Sequence, residues 1–227
     1  MIFRTLFKKL LWVVGGLLLF SVVLVVSLNF IDPPVWAWKL HRQIMPPENY
    51  PVQIKHQWIQ WDKISNNMRL AVIASEDQLF TQHSGFDFKS IMDALDANAQ
   101  GKQIRGASTI SQQTAKNLFL WPSKSFLRKG IEAWFTGLME LILNKQRILE
   151  LYLNLVEFGP GVFGVEAASQ HYYHKSAQSL SIWEAARLAS VLPNPYRFHV
   201  NKPSKYTLQR IKWIEKQMRQ LGQDAIP

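Results

Sequence analysis

Three short stretches of this chain place ionisable and hydroxyl-bearing side chains at spacings that can do chemistry. The first, Glu76-Asp77-Gln78-Leu79-Phe80-Thr81-Gln82-His83-Ser84-Gly85, closes an apolar run with an acidic pair. A carboxylate at such a half-buried position is a candidate general base. The second, running from Gly106 to Asn117, carries Ser108, Thr109, Ser111, Gln112, Gln113, Lys116 and Asn117. The third sets Arg128 and Glu132 four residues apart, hence on one helix face, with Lys129 beside them. Each has a plain alternative. An isolated Glu76 or Glu132 on a helix is commonly solvated, and an Arg128–Glu132 pair is commonly a surface salt bridge of little consequence. His83, alone and without HExxH spacing, reads as a structural hydrogen-bonder rather than a metal ligand.

The elements that must position these groups follow from periodicity. Met68, Leu70, Ala71, Ile73 and Ala74 predict a helix from Asn66 ending at Glu76, and Asp87 is placed to cap a helix through Ile91 and Leu95. Residues 101–106 read as a basic loop bounded by glycines. Thr109 and Gln112 fit a capping box, and on the helix they start, Thr109, Gln113 and Lys116 share one polar face. The P-loop spacing GxxxxGK[ST] is absent, so a nucleotide site of that kind is rejected. A capped helix start with Lys116, Arg128 and Lys129 nevertheless suits a diphosphate. Residues 131–143 predict an apolar helix carrying Glu132 and Glu140, and 145–153 continues or restarts it. Gly159, Gly161 and Gly164 open a turn before a helix over 165–173, and another helix over 182–192 stops at Pro193 and Pro195. Strand alternation is absent beyond a possible extended segment at 52–61, so the domain is expected to be mainly α.

Residues 10–31 contain no charge, and a helix of that length spans roughly 30 Å, enough to cross a bilayer. Arg4, Lys8 and Lys9 precede it, which by the positive-inside rule puts residues 1–9 in the cytoplasm and the remainder outside. A cleaved signal peptide is the alternative; the run is longer than an h-region and no small-x-small cleavage site follows. Asp32-Pro33-Pro34 is the expected helix end, Trp36 and Trp38 an expected aromatic belt, and 32–60 a connector to a domain at 61–227. The stretch 118–129 interleaves large apolar groups with Lys124, Arg128 and Lys129, and is read as an interfacial surface in preference to a buried turn.

With 227 residues, 48% hydrophobic, the chain can bury one core. It has no cysteine, which excludes zinc–thiolate sites. Lys and Arg number 26 against 16 Asp and Glu, a net charge of +10 that calls for an anionic partner: lipid, phosphorylated substrate or nucleic acid. No nucleic-acid-binding motif accompanies the charge, so nucleic acid is not expected.

The three stretches resemble motifs of the family 51 peptidoglycan glycosyltransferases, and most closely the monofunctional biosynthetic ones. EDxxFxxHxG is met by Glu76, Asp77, Phe80, His83 and Gly85; GxSTxTQQxxKN runs from Gly106 to Asn117, with Ser111 for the usual Thr; RKxxE is met by Arg128, Lys129 and Glu132. KxxILExYLNxxxxGxxxxGxxxA begins at Lys145, and a helix ending LPxxP closes at Pro195, with Arg187 where an apolar residue is expected. The resemblance implies a lysozyme-like glycosyltransferase domain with a small membrane-proximal subdomain, on one inner-membrane helix with the catalytic domain in the periplasm. It also implies polymerisation of lipid II, with lipid II, the lipid-linked glycan strand, the membrane, and cell-wall synthesis or division proteins as partners.

In those terms Glu76 is the base and Lys116, Arg128 and Lys129 stabilise the leaving diphosphate. Glu132 either orients these cations or helps hold a divalent cation (Mg or Mn); no organic cofactor is implied. Ser108, Thr109, Gln113 and Asn117 would position substrate, with Phe80 among the binding residues and Asp77 and His83 supporting Glu76. The residues agree with this chemistry, because a hydroxyl attacking an anomeric carbon needs a base whereas a diphosphate leaves without a proton donor. Bifunctional relatives carry a transpeptidase domain after this one, so no cross-linking or penicillin binding is expected of a chain ending at Pro227. Two other readings remain: a glycan-cleaving lysozyme or lytic transglycosylase, which needs a protonated acid and no cation cluster, and a non-catalytic anchored lipid-binding scaffold.

Overall fold

The computed structural model describes residues 2–90, 92, 96, 108–123 and 125–227. The expected continuation of a helix through Ile91 and Leu95, the 101–106 loop, Gly106 and Lys124 lie outside the described residues. Asp87 does form the expected cap, its Oδ1 accepting from the Ser90 N–H at 2.9 Å.

The fold is mainly α. An apolar helix, α1 (Ile2–Ser27), precedes α2 (Ala37–Ile44), β1 (Lys55–His56) and α3 (Asn66–Glu76). Then come α4 (Ile110–Phe119), α5 (Phe126–Ile142), α6 (Lys145–Leu155), β2 (Glu157–Gly159), β3 (Val162–Phe163), α7 (Val165–Tyr173), α8 (Ile182–Val191) and α9 (Lys205–Leu221). α3 is buried on every side from Met68 to Ala74, as a helix apolar all round must be. It packs on α8 and α9, while α4 packs on α2, α5 and α6, so the ends of α3 and α4 meet between two helical layers.

Helix starts are set by side-chain oxygens that satisfy otherwise orphaned N–H groups. Ser65 caps α3, Ser125 caps α5 and Ser204 caps α9, and Thr109–Gln112 and Ser181–Glu184 form capping boxes on α4 and α8. Asn144 accepts from the Arg147 N–H at 2.7 Å, which makes α6 a new helix and not a continuation of α5.

β2 and β3, between α6 and α7, join β1 in a small sheet of order β1-β3-β2, β1 parallel and β2 antiparallel to β3, with Lys55 opposite Val162 and Glu157 opposite Phe163. These strands of two or three residues are too short to show alternation, which is why the glycine-rich stretch reads as a turn. Gly164, at φ +79°, sits where a Cβ would come within 2.7 Å of the Asn154 carbonyl oxygen.

Several expectations need correction. α1 starts at Ile2, so Arg4, Lys8 and Lys9 lie on the helix, and it ends at Ser27 rather than at Asp32-Pro33-Pro34. Arg147 explains the early end: its guanidinium takes the carbonyls of Leu28 (2.8 Å) and Ile31 (3.3 Å) and the Asp32 carboxylate (2.8 Å), competing with a further turn. The connector holds helix α2, and only Lys55–His56 of the 52–61 segment is strand. Trp36 is no belt residue; it is 2% exposed and packs edge-on against His56 and Phe163. Trp38 is half-buried, with Arg42 and Lys116 over its ring.

Candidate active site

Glu76, the last residue of α3, has a side chain 10% exposed. Oε2 accepts from Gln113 Nε2 on α4 at 3.0 Å and Oε1 from Arg210 Nη2 on α9 at 3.1 Å. The Tyr152 hydroxyl donates to Gln113 Oε1 at 3.1 Å, which fixes the amide so that its NH2 faces Glu76. Burial pushes the Glu76 pKa above the ordinary carboxylate value, opposed by Gln113, Arg210 and Lys116 and assisted by Asp77. A carboxylate that is ionised yet proton-avid is what a general base requires.

Beneath it lies a bracket that joins α3 to α4. Asp77 accepts from His83 Nε2 at 2.8 Å and from the Ile110 N–H at 3.0 Å, the first turn of α4. His83 Nδ1 accepts from the Gly85 N–H at 3.1 Å, so Nε2 carries the proton toward Asp77. Thr109 Oγ1 donates to the Gly85 carbonyl at 2.7 Å. Asp77 and Thr109 are buried, and Phe80 is fully buried with Lys145 Nζ 4.6 Å from its ring centre. With no exposed surface, Phe80 cannot touch a ligand in this conformation and packs in the core beneath Glu76. Ser111 donates to Glu140, which also pairs with Lys145 at 2.8 Å, so this hydroxyl serves helix packing. Asn117 is buried, and Ser108 is exposed.

The cations come from α4 and α5. Glu132, 3% exposed, accepts from Arg128 Nη1 at 2.7 Å and from Lys129 Nζ at 2.5 Å, one on each oxygen, and the Arg128 Nε–H goes to the Ser123 carbonyl at 2.6 Å. These interactions hold both cations in place. Lys116 is different: among the described residues it has neither a hydrogen bond nor an ion pair, only the Trp38 ring with its centre 5.2 Å away. Burial pushes its pKa below the ordinary lysine value; Glu132 opposes this, Arg128 adds to it, Glu76 opposes it and Lys129 adds again. Gln113 ties α4 to Glu76 on α3, and α4 packs on α5, so the three stretches lie close together around this ammonium.

The divalent cation considered beside Glu132 does not fit these side chains. Both Glu132 oxygens are occupied by cations, and no group of three His, Asp or Glu able to hold a metal occurs among the described residues.

The Transglycosylase family model matches residues 45–219, which span every charged and hydrogen-bonding residue of this site. The chain belongs to the transglycosylase family. Its relatives include proteins named biosynthetic peptidoglycan transglycosylase. The one from Shewanella oneidensis is 56% identical over 97% of this chain and 94% of its own length. That from Aeromonas hydrophila is 56% identical over 91% and 87%, and that from Pseudomonas syringae pv. tomato 49% over 98% and 93%. This family member is an enzyme of the glycosyltransferase class, and α1 fits a single-pass membrane anchor, being apolar and long enough over Arg4–Ser27.

In this transglycosylase the residue that sequence reasoning missed is Arg210. Its helix was detectable: Ser204 caps it, and Thr207, Ile211, Ile214 and Met218 form its buried stripe at helical spacing. The pairing with Glu76 across 134 positions was not. Tyr152 was equally hidden, inside a motif that reads as core. Arg187 is only partly buried, its guanidinium lying 4.8 Å from the Trp183 ring centre while its Nε is buried without a hydrogen-bond partner among the described residues.

Proposed function

We propose that this protein polymerises lipid II into peptidoglycan glycan strands. Glu76 takes the proton from the 4-hydroxyl of an incoming lipid II, and that oxygen attacks C1 of the sugar ending the growing strand. The bond from C1 to the lipid diphosphate breaks with inversion, and the leaving oxygen keeps the electron pair. Lys116, Arg128 and Lys129 neutralise the charge that develops there, a contribution largest in a water-poor groove. Glu132 orients Arg128 and Lys129.

The observation that carries this reading is the placement of Lys116, without a hydrogen bond or ion pair among the described residues: it stands one turn along α4 from Gln113, the partner of Glu76, on the helix that packs against α5 with its Arg128–Glu132–Lys129 group. A raised Glu76 pKa alone suits a base or a protonated acid of the lysozyme kind. Hydrogen bonds from Gln113 and Arg210 to both oxygens favour the ionised form, and a glycan-cleaving acid has no use for a spare, half-buried cation.

The surroundings suit a lipid-linked substrate. Leu127, Trp134 and Leu141 recur every seven residues on one face of α5 and are exposed, and Trp134 Nε1 donates to Ser21 Oγ of α1 at 3.1 Å. Trp121 and Phe126 extend the apolar surface. Such a collar beside the anchor enters the headgroup zone, with Arg4, Lys8 and Lys9 on the cytoplasmic side of the inner membrane and the domain in the periplasm. Incubation with lipid II and, separately, with purified glycan strands tests the reading. Polymer from the former supports it; fragments from the latter without polymer from the former would reverse it in favour of a cleaving enzyme.

A further inference from the structure

α9 carries a second feature on the face that reaches the active site. Tyr206 stands four residues before Arg210, so the two share a helix face one turn apart, about 6 Å along the axis. Arg210 touches Glu76. Tyr206 is 58% exposed, and its hydroxyl has no hydrogen-bond partner among the described residues. Its ring stacks on Phe198, centroids 5.5 Å apart and planes at 29°, and the Arg197 guanidinium lies 5.9 Å from the Phe198 ring. Phe198 packs against the core, so the pair is braced from below.

A core needs no stacked aromatic pair with its upper member in water. The C–H faces of a pyranose ring pack on an aromatic face by dispersion, while the hydroxyls at its edge bond to nearby donors; here those are the tyrosine hydroxyl and arginines 197 and 210. Position decides which sugar is meant. The diphosphate-binding cations come from α4 and α5, whereas α9 packs on α3 and α8 and approaches Glu76 from the side of the base. The base end receives the attacking hydroxyl. The step of one turn from Arg210 to Tyr206 is comparable to the length of one sugar ring.

We infer that the Tyr206–Phe198 stack is a sugar-binding platform that holds the incoming, hydroxyl-bearing lipid-linked saccharide at the base end of the groove. This rests on the reading of the protein as a polymerase of lipid II and names a residue that sets affinity for the acceptor.

The test is the KM for lipid II and the length distribution of the glycan product for Tyr206→Ala, Tyr206→Leu and Tyr206→Phe in the full-length protein. Loss of an aromatic stacking contact raises KM roughly 3- to 10-fold, so Ala and Leu should do so and shift the product toward shorter strands. Phe, which keeps the ring, should stay within about twofold of the wild type on the same scale. Wild-type KM and strand lengths in the Ala variant, or Leu performing as well as Phe, would overturn the platform, the latter because any apolar filler would then suffice. Should the Ala variant fail to fold, the Leu–Phe comparison still decides. Failure of the parent reading is distinct: the wild type itself would yield no polymer.

Discussion

Arg210 and Glu76, 134 positions apart in the chain, meet at 3.1 Å across the face where α9 packs on α3. The contact ties α9 to the candidate base. Burial drives the Glu76 carboxyl toward its neutral form, and the guanidinium is one of the groups that oppose this.

Arg210→Ala should therefore lower kcat/KM roughly 10- to 100-fold, the value of one hydrogen bond to a charged group. It should also move the acid limb of the pH–rate profile upward, since a positive charge beside the base is lost. Arg210→Lys should recover part of both. A reduced rate with an unmoved acid limb would mean that Arg210 supports the fold and not the base.

The anchor is clamped to the domain. Arg147, 13% exposed, bonds the Leu28 and Ile31 carbonyls and Asp32 after α1, and pairs with Glu150 at 2.8 Å within α6. Glu150 in turn accepts from the Trp61 N–H at 2.8 Å. Arg147→Ala leaves Glu150 buried without its cation, a loss of about 3 kcal/mol. Thermal unfolding in detergent should show a Tm lower by roughly 6–12 °C for a chain of this size. A shift of about 1 °C or less would show the clamp to be a passive surface contact.

Gly85 is the hinge of the bracket under the site. At φ +87° a side chain there is strained, and its Cβ would meet Glu140 Cγ at 2.8 Å and Thr136 Cγ2 at 2.9 Å. Gly85→Ala should destabilise by about 2–4 kcal/mol, strain and overpacking together. Gly137→Ala is the control: it lies inside α5 with nothing within 4 Å of the added methyl, and should stabilise by about 0.5–1 kcal/mol. Denaturant midpoints that move the same way for both would contradict this assignment.

What the sequence disclosed was local. The α3 span, the start of α4 at its Thr109–Gln112 capping box and the Arg128–Glu132 pair each depend on residues a few positions apart, where helical geometry dictates contact. The short strands carried too little pattern to show. Trp36 read as a belt residue because proximity to an apolar helix says nothing about which way a tryptophan turns. Arg210, Tyr152 and the Trp38 ring beside Lys116 enter the site from elements distant in sequence, and helix packing alone brings them there.

The central claim is that a deprotonated Glu76 accepts the acceptor's proton beside a cation at Lys116. The kcat/KM profile for lipid II polymerisation against pH, for wild type and Glu76→Gln, tests it most directly. With the Glu76 pKa raised and the Lys116 pKa lowered, wild-type activity should rise with pH through an acid limb above the ordinary carboxylate range and fall through an alkaline limb below the ordinary lysine value. Glu76→Gln should lose roughly 10²- to 10⁴-fold of the rate and the acid limb with it. An intact acid limb in Glu76→Gln would place the base elsewhere and contradict the account.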